Sequence, residues 1–170
     1  MRPSDQPTPD DLFTALRDEI QVCQQLVNLT RRERDGLLSG DLTAVAATVR
    51  DKGEMMRSLA EVEATRSHLT ASLAVAMGLP SDVGLQGLIG HLGEPAAQSV
   101  QAMRQECIAL VSELQLLNQG NVGLIQTRLD RIEATLGFLA RIGHEGDAPY
   151  TPCGITTSPA STGHVLNWQI

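Results

Sequence analysis

The chain has 170 residues, 42% of them hydrophobic, yet only two Phe, one Tyr and one Trp, so a core built on large rings is excluded and Leu, Val, Ile, Met and Ala must fill it. Twenty Asp and Glu against 13 Lys and Arg give a formal charge of −7, which excludes the basic stripe of a nucleic-acid binder and disfavours an anionic membrane surface. Cys23, Cys107 and Cys153 are odd in number, far apart and in no CxxC spacing, so they read as free thiols of a reducing compartment. With no signal peptide and no apolar run of ~20 residues, the expectation is a soluble, cytoplasmic protein.

Residues 1–9 hold three prolines among polar residues and read as a disordered lead-in. A first helix is expected over about 10–38, with Asp10 and Asp11 at its positive end. Its apolar positions are Leu12, Leu16, Ile20, Cys23, Leu26 or Val27, and Leu37. The charged run through Arg31, Arg32, Glu33, Arg34 and Asp35 reads as a solvated face. Ser39-Gly40-Asp41 is a stop-and-start: a left-handed glycine, then a residue that caps the next helix. So short a connection makes the two helices antiparallel.

The second helix is expected over about 41–77, with a seam of Leu42, Val45, Val49, Lys52, Met56, Leu59, Val62, Arg66, Leu69, Leu73 and Met77. Lys52 and Arg66 within it can pack their stems and extend their heads to water, or they can set register. Gly78 and Pro80 end the helix. Ser81 or Asp82 would cap a weak, glycine-containing third helix over about 82–92, a lid or connector at one end.

The longest element is expected over about 95–142, roughly 70 Å of helix at 1.5 Å per residue. Its apolar residues Val100, Met103, Cys107, Leu110, Leu114 and Leu117 step by three and four. Asn118 to Asn121 then interrupt the run, in the manner of a four-residue stutter, and the stripe resumes as Ile125, Leu129, Ile132, Leu136 and Leu139. One helix thus carries two faces, the first for the protein's own core and the second for something else. Residues 143–170 read as a flexible tail, although Val165, Leu166, Trp168 and Ile170 make its end apolar. The fold class is therefore all-α: a coiled-coil-like antiparallel bundle of three long helices over 10–142, a short connecting helix and a C-terminal tail.

Catalytic and metal-binding patterns are lacking. The four His residues have no ligand spacing, and there is no phosphate-cradling loop or nucleophile elbow. His68, inside the second helix, is the one candidate for a phosphotransfer module, and it lacks the lysine and glycine that such modules place after the histidine.

Three stretches carry a resemblance. Glu33-Arg34-Asp35-Gly36-Leu37-Leu38-Ser39-Gly40-Asp41-Leu42, with Lys52 and Glu63 to Arg66, looks like the first hairpin of the FlgN family of flagellar type III export chaperones. Leu117-Asn118-Gln119-Gly120-Asn121, with Leu124 and Ile125, is similar to that family's Leu-Asn-x-x-Asn joint ahead of a final amphipathic segment. Tyr150-Thr151-Pro152-Cys153-Gly154 resembles its Tyr-x-x-x-Gly tail.

The resemblance implies a non-enzymatic, cofactor-free chaperone that binds the terminal helical segments of hook–filament junction (hook-associated) proteins. It would prevent their premature assembly and deliver them to the export gate. Client binding would then fall on Asn118, Asn121, Leu124, Ile125, Leu129, Ile132, Leu136 and Leu139. Tyr150 and Gly154 would contact the gate's cytoplasmic domain. Without a client, so much apolar stripe would favour self-association. The competing reading is a scaffolding coiled coil with no secretion client, which would continue one unbroken seam.

Overall fold

A computed structural model describes residues 7–145. They form four helices and, among the described residues, no strand: α1 (Pro9–Ser39), α2 (Leu42–Ala76), α3 (Gly84–Ile89) and α4 (Ala96–Glu145). The chain divides into two compact units, residues 1–129 and 130–170, with α4 contributing to both.

Local chemistry sets the helix ends. Thr8 and Asp11 form a reciprocal capping box: the Thr8 N–H donates to Asp11 Oδ2 at 2.8 Å and the Asp11 N–H donates to Thr8 Oγ1 at 3.3 Å. The Thr8 hydroxyl also donates to Asp11 Oδ2, at 2.7 Å, and this bond together with that from the Thr8 N–H favours the ionised carboxylate and holds Asp11 below its ordinary range. Gly40, at φ +80°, terminates α1, and its N–H and that of Asp41 both donate to Gly36 O. Asp41 then accepts the Ala44 N–H at 2.9 Å and starts α2. Gly36 lets this turn close tightly, because a Cβ there would stand 2.9 Å from Val45 Cγ2.

The third helix is shorter than the 82–92 its sequence suggested. Neither Ser81 nor Asp82 caps it; the N-cap is Val83, without a side-chain bond, and Gly84 enters at φ +68°. The left-handed glycine postpones the first helical turn, and packing rather than propensity holds what remains. Leu88 is fully buried in a cluster with Leu12 and Leu16 of α1, Leu73 and Ala74 of α2 and Val100 of α4. The loop and α3 therefore close the end of the unit where α1 and α4 begin and α2 ends.

Away from that end, burial follows unbroken 3-4 series. In α1 the series is Leu12, Leu16, Glu19, Cys23, Leu26, Thr30, Glu33 and Leu37, all buried. In α2 it is Val45, Thr48, Lys52, Met55, Leu59, Val62, Arg66, Leu69 and Leu73, buried or half-buried throughout. Val49 and Met56, expected in that seam, are instead 50% and 52% exposed, because Thr48 and Met55 hold the positions that keep step with Lys52 and Leu59. Leu42 and Met77, the ends of the expected seam, are exposed as well.

In α4 the series is Val100, Met103, Cys107, Leu110, Leu114, Leu117, Asn121 and Leu124. No stutter is needed here. Asn121, 3% exposed, occupies the next core position and the series runs through it.

Candidate functional site

Two acidic residues sit within the buried series of α1, spaced by two heptads, and two basic residues sit at the same spacing in α2. Arg66 Nε lies 2.6 Å from Glu19 Oε2, and Lys52 Nζ lies 2.6 Å from Glu33 Oε2. The paired residue numbers run in opposite directions along α1 and α2.

The Glu33 layer extends into α4. Lys52 Nζ donates to Asn118 Oδ1 at 3.0 Å, while Asn121 Nδ2 donates to Glu33 Oε2 at 3.0 Å and to the Thr30 carbonyl at 3.1 Å. Three helices are thus fixed at one level by charge-assisted bonds, which are stronger than neutral ones. Further pairs tie α4 to α1: Gln24 to Glu106, Arg31 to Glu113, and Arg128 Nη2 to the Leu38 carbonyl at 3.0 Å. The last places a cation at the negative end of α1.

Burial of these groups changes their protonation. Desolvation pushes Glu19 above its ordinary value, with Arg66 acting against it. Burial, assisted by the negative charge of Glu19, raises the Cys23 thiol and lifts Cys107 to about 12. Both cysteines are free, and burial disfavours the thiolate at each. Among the described residues no group of His, Cys, Asp and Glu could hold a metal ion, and no helix is long and apolar enough to cross a membrane. His68 is exposed on α2.

The expected client-binding residues separate into two sets. Asn118 and Asn121 are spent inside the protein on Lys52, Thr30 and Glu33, and Asn118 is half-buried while Asn121 is buried. Leu124 is half-buried at the end of the inner series.

The rest face solvent: Ile125 is 41% exposed, Leu129 49%, Ile132 55%, Leu136 61% and Leu139 55%. Every residue from Ile125 to Ile142 is exposed, with Phe138 and Ile142 beside the stripe. Leu129 lies in the first unit, and Ile132, Leu136 and Leu139 lie in the second. Tyr150 and Gly154 lie outside the described residues.

The exposed stripe also begins earlier than the sequence suggested. Ile108, Val111, Gln115, Asn118, Val122 and Ile125 form a second 3-4 series, displaced by one residue from the inner one. Ile108, Val111 and Val122 are 48%, 41% and 66% exposed. Reading along the sequence for a single seam hid this, as it hid Glu19 and Glu33. Tracing each helix strictly by alternating threes and fours would have exposed both.

The model of the family described as FlgN protein matches residues 1–156. No curated protein and no solved structure matches the chain.

Proposed function

The chain belongs to the FlgN family of flagellar export chaperones, and on that premise we propose that it receives the terminal helical segments of hook–filament junction proteins on the outer stripe of α4. It keeps those segments from assembling early and hands them to the cytoplasmic domain of the export gate, with Tyr150 and Gly154 as the gate contact. It works by reversible binding in the cytoplasm, as a non-enzyme without a cofactor. The three long helices form an antiparallel bundle that supports the stripe.

The observation that carries this reading is the run from Ile125 to Ile142, wholly exposed and yet apolar at Ile125, Leu129, Ile132, Leu136 and Leu139. A contiguous apolar face in water is the mark of a surface that acquires a partner. Its 3-4 spacing suits an amphipathic helix, since knobs on one helix then meet holes on the other. Asn118 and Asn121 serve this face indirectly: by fixing α4 on α1 and α2 they set which side of the helix stays outward. Leu124 belongs to the inner series.

The test is calorimetry with a synthetic terminal helical segment of a junction protein from the same genome. Replacing Leu129, Ile132 and Leu136 together with Asp should lower affinity by more than about a hundredfold, or ~2.7 kcal/mol. The melting temperature should hold, because all three side chains are already in water. Unchanged affinity would remove the stripe from the client interface.

A further inference from the structure

The turn between α1 and α2 leaves two leucines in water. Leu38, in the last turn of α1, is 57% exposed, and Leu42, the first residue of α2, is 73% exposed. Neither belongs to a buried series; Leu37 is buried and Val45 half-buried instead. Local helix formation asks for no leucine at either place. Gly40 ends α1 and Asp41 caps α2, and polar residues beside them would leave both signals intact.

The turn itself is firmly held. The Gly40 and Asp41 N–H groups both donate to the Gly36 carbonyl, at 2.9 and 3.0 Å, and the Leu42 N–H donates to the Gly40 carbonyl at 3.1 Å. The two leucines are thus fixed in place before any partner arrives, which spares the cost of ordering the backbone on binding.

One side chain joins this turn to α4. The Arg128 guanidinium donates from Nη2 to the Leu38 carbonyl at 3.0 Å. Its Nη1 lies over Gly40, where an added Cβ would stand 3.3 Å from it. A glycine at φ +80° meets the needs of the turn and leaves room for the arginine to cross it. In the sequence Arg128 stands between Ile125 and Leu129, the two stripe residues that share a compact unit with the hairpin. A single guanidinium therefore gathers four exposed apolar side chains at one place, two from the turn and two from α4. Single exposed leucines are ordinary, whereas four together make a patch.

Charge does not choose the partner of this patch. Asp41 is engaged by the Ala44 N–H and Arg128 by the Leu38 carbonyl. Continuity chooses it instead. Ile125 and Leu129 are the part of the client stripe that lies beside the turn, and a helix is 10–12 Å across with its side chains, wide enough to touch both. We propose that the α1–α2 turn is part of the client seat. Leu38 and Leu42 cover the flank of the amphipathic client helix that lies on Ile125 and Leu129, and Arg128 is the positioning residue that sets the turn against α4. This rests on the client reading above and extends it from α4 to the hairpin.

The experiment uses the full chain and the same junction-protein segment as the probe. Leu38→Gln with Leu42→Gln should weaken binding about tenfold. Arg128→Ala, which frees the turn from α4, should weaken it about fivefold. Arg128→Lys should recover most of that loss, since an ammonium still donates to the Leu38 carbonyl. The combination is decisive. Added to the two glutamines, Arg128→Ala should change affinity less than about twofold, because the turn then has no apolar contact left to position. All three side chains are exposed, so folding is not at stake. A measurement without variants runs in parallel: amide exchange from Leu37 to Val45 should slow when the segment binds.

If the glutamine variant binds as the wild type does, and exchange slows only along α4, the turn proposal falls while the stripe reading stands. If the wild type does not bind the segment at all, both fall. If Arg128→Ala costs as much with the glutamines as without them, the arginine acts on the stripe alone and its role at the turn is overturned. A dimer that the glutamine variant turns into a monomer, with client affinity unchanged, would assign the patch to a second copy and overturn the proposal as well.

Discussion

α4 carries two series of residues with identical spacing, one step apart, and they meet opposite fates. Val100, Cys107, Leu114, Asn121 and their companions are buried or half-buried against α1 and α2. Ile108, Val111, Val122 and Ile125 lie about 100° further round the helix and remain in water. The inner series even tolerates a buried Asn, while the outer one is apolar at Ile108, Val111, Val122 and Ile125, where polarity would cost nothing. Spacing alone therefore does not tell a core from an interface. What separates them is whether another part of the same chain reaches the face.

The sharpest way to break that contrast is to truncate one residue of the buried core and one of the outer series. Leu26→Ala removes a side chain with 0% exposure and should cost about 3 kcal/mol, within the 2–5 kcal/mol of such core truncations. Leu136→Ala removes one that is 61% exposed and should shift stability by less than ~0.5 kcal/mol. Urea unfolding of the two variants decides. A comparable loss from Leu136→Ala would mean that the outer series is packed in solution.

A smaller effect tests the polar layer that holds α4 in its orientation. Lys52→Ala leaves Glu33 and Asn118 without their cation. Removing one partner of a fully buried pair costs 3–5 kcal/mol, and the rim access of this pair, 18% and 11% at the two side chains, lowers the expectation to about 2 kcal/mol. Replacing Glu33 and Lys52 together with Leu should restore most of that loss, because neither charge is then stranded. If the double variant is less stable than Lys52→Ala, the layer contributes beyond the pair itself.

The smallest effect is in pH dependence. The folded-state pKa of Glu19 is raised by burial above its ordinary 4.5, so the folded protein binds that proton more tightly than the unfolded chain does. Its contribution to stability therefore falls as pH rises from 4.5 through the raised value, and it is recovered on acidification. Relative to Glu19→Gln, the wild type should gain stability as pH is lowered from 7 to 4.5. A difference that is flat with pH would mean that Arg66 cancels the burial fully.

Much of the chain was legible before any coordinates. Asp10 and Asp11 at the start of α1, Gly40 with Asp41, and Gly78 with Pro80 are local signals, and local signals fix helix ends because the groups they satisfy lie within one turn. The outer stripe from Ile125 to Leu139 could likewise be read as apolar at helical spacing. Asn118 and Asn121 were the misleading pair. In sequence they looked like a surface joint, yet a buried Asn is acceptable wherever a carboxylate and a carbonyl from another helix lie within 3.1 Å, and nothing local announces that.

By itself, then, the sequence determined that the described residues are helical, where α1 ends and α2 begins, and which residues are apolar at heptad spacing. Those properties depend on capping, propensity and periodicity, which act over a few residues. The tertiary structure decided which of two adjacent seams is core, and that Glu19 and Glu33 are interior charges matched by Arg66 and Lys52. Each of these depends on residues from 19 to 91 positions apart in the chain meeting at one place, as Lys52 meets Glu33 and Asn121 meets Thr30. Only the packing of one helix on another brings them there.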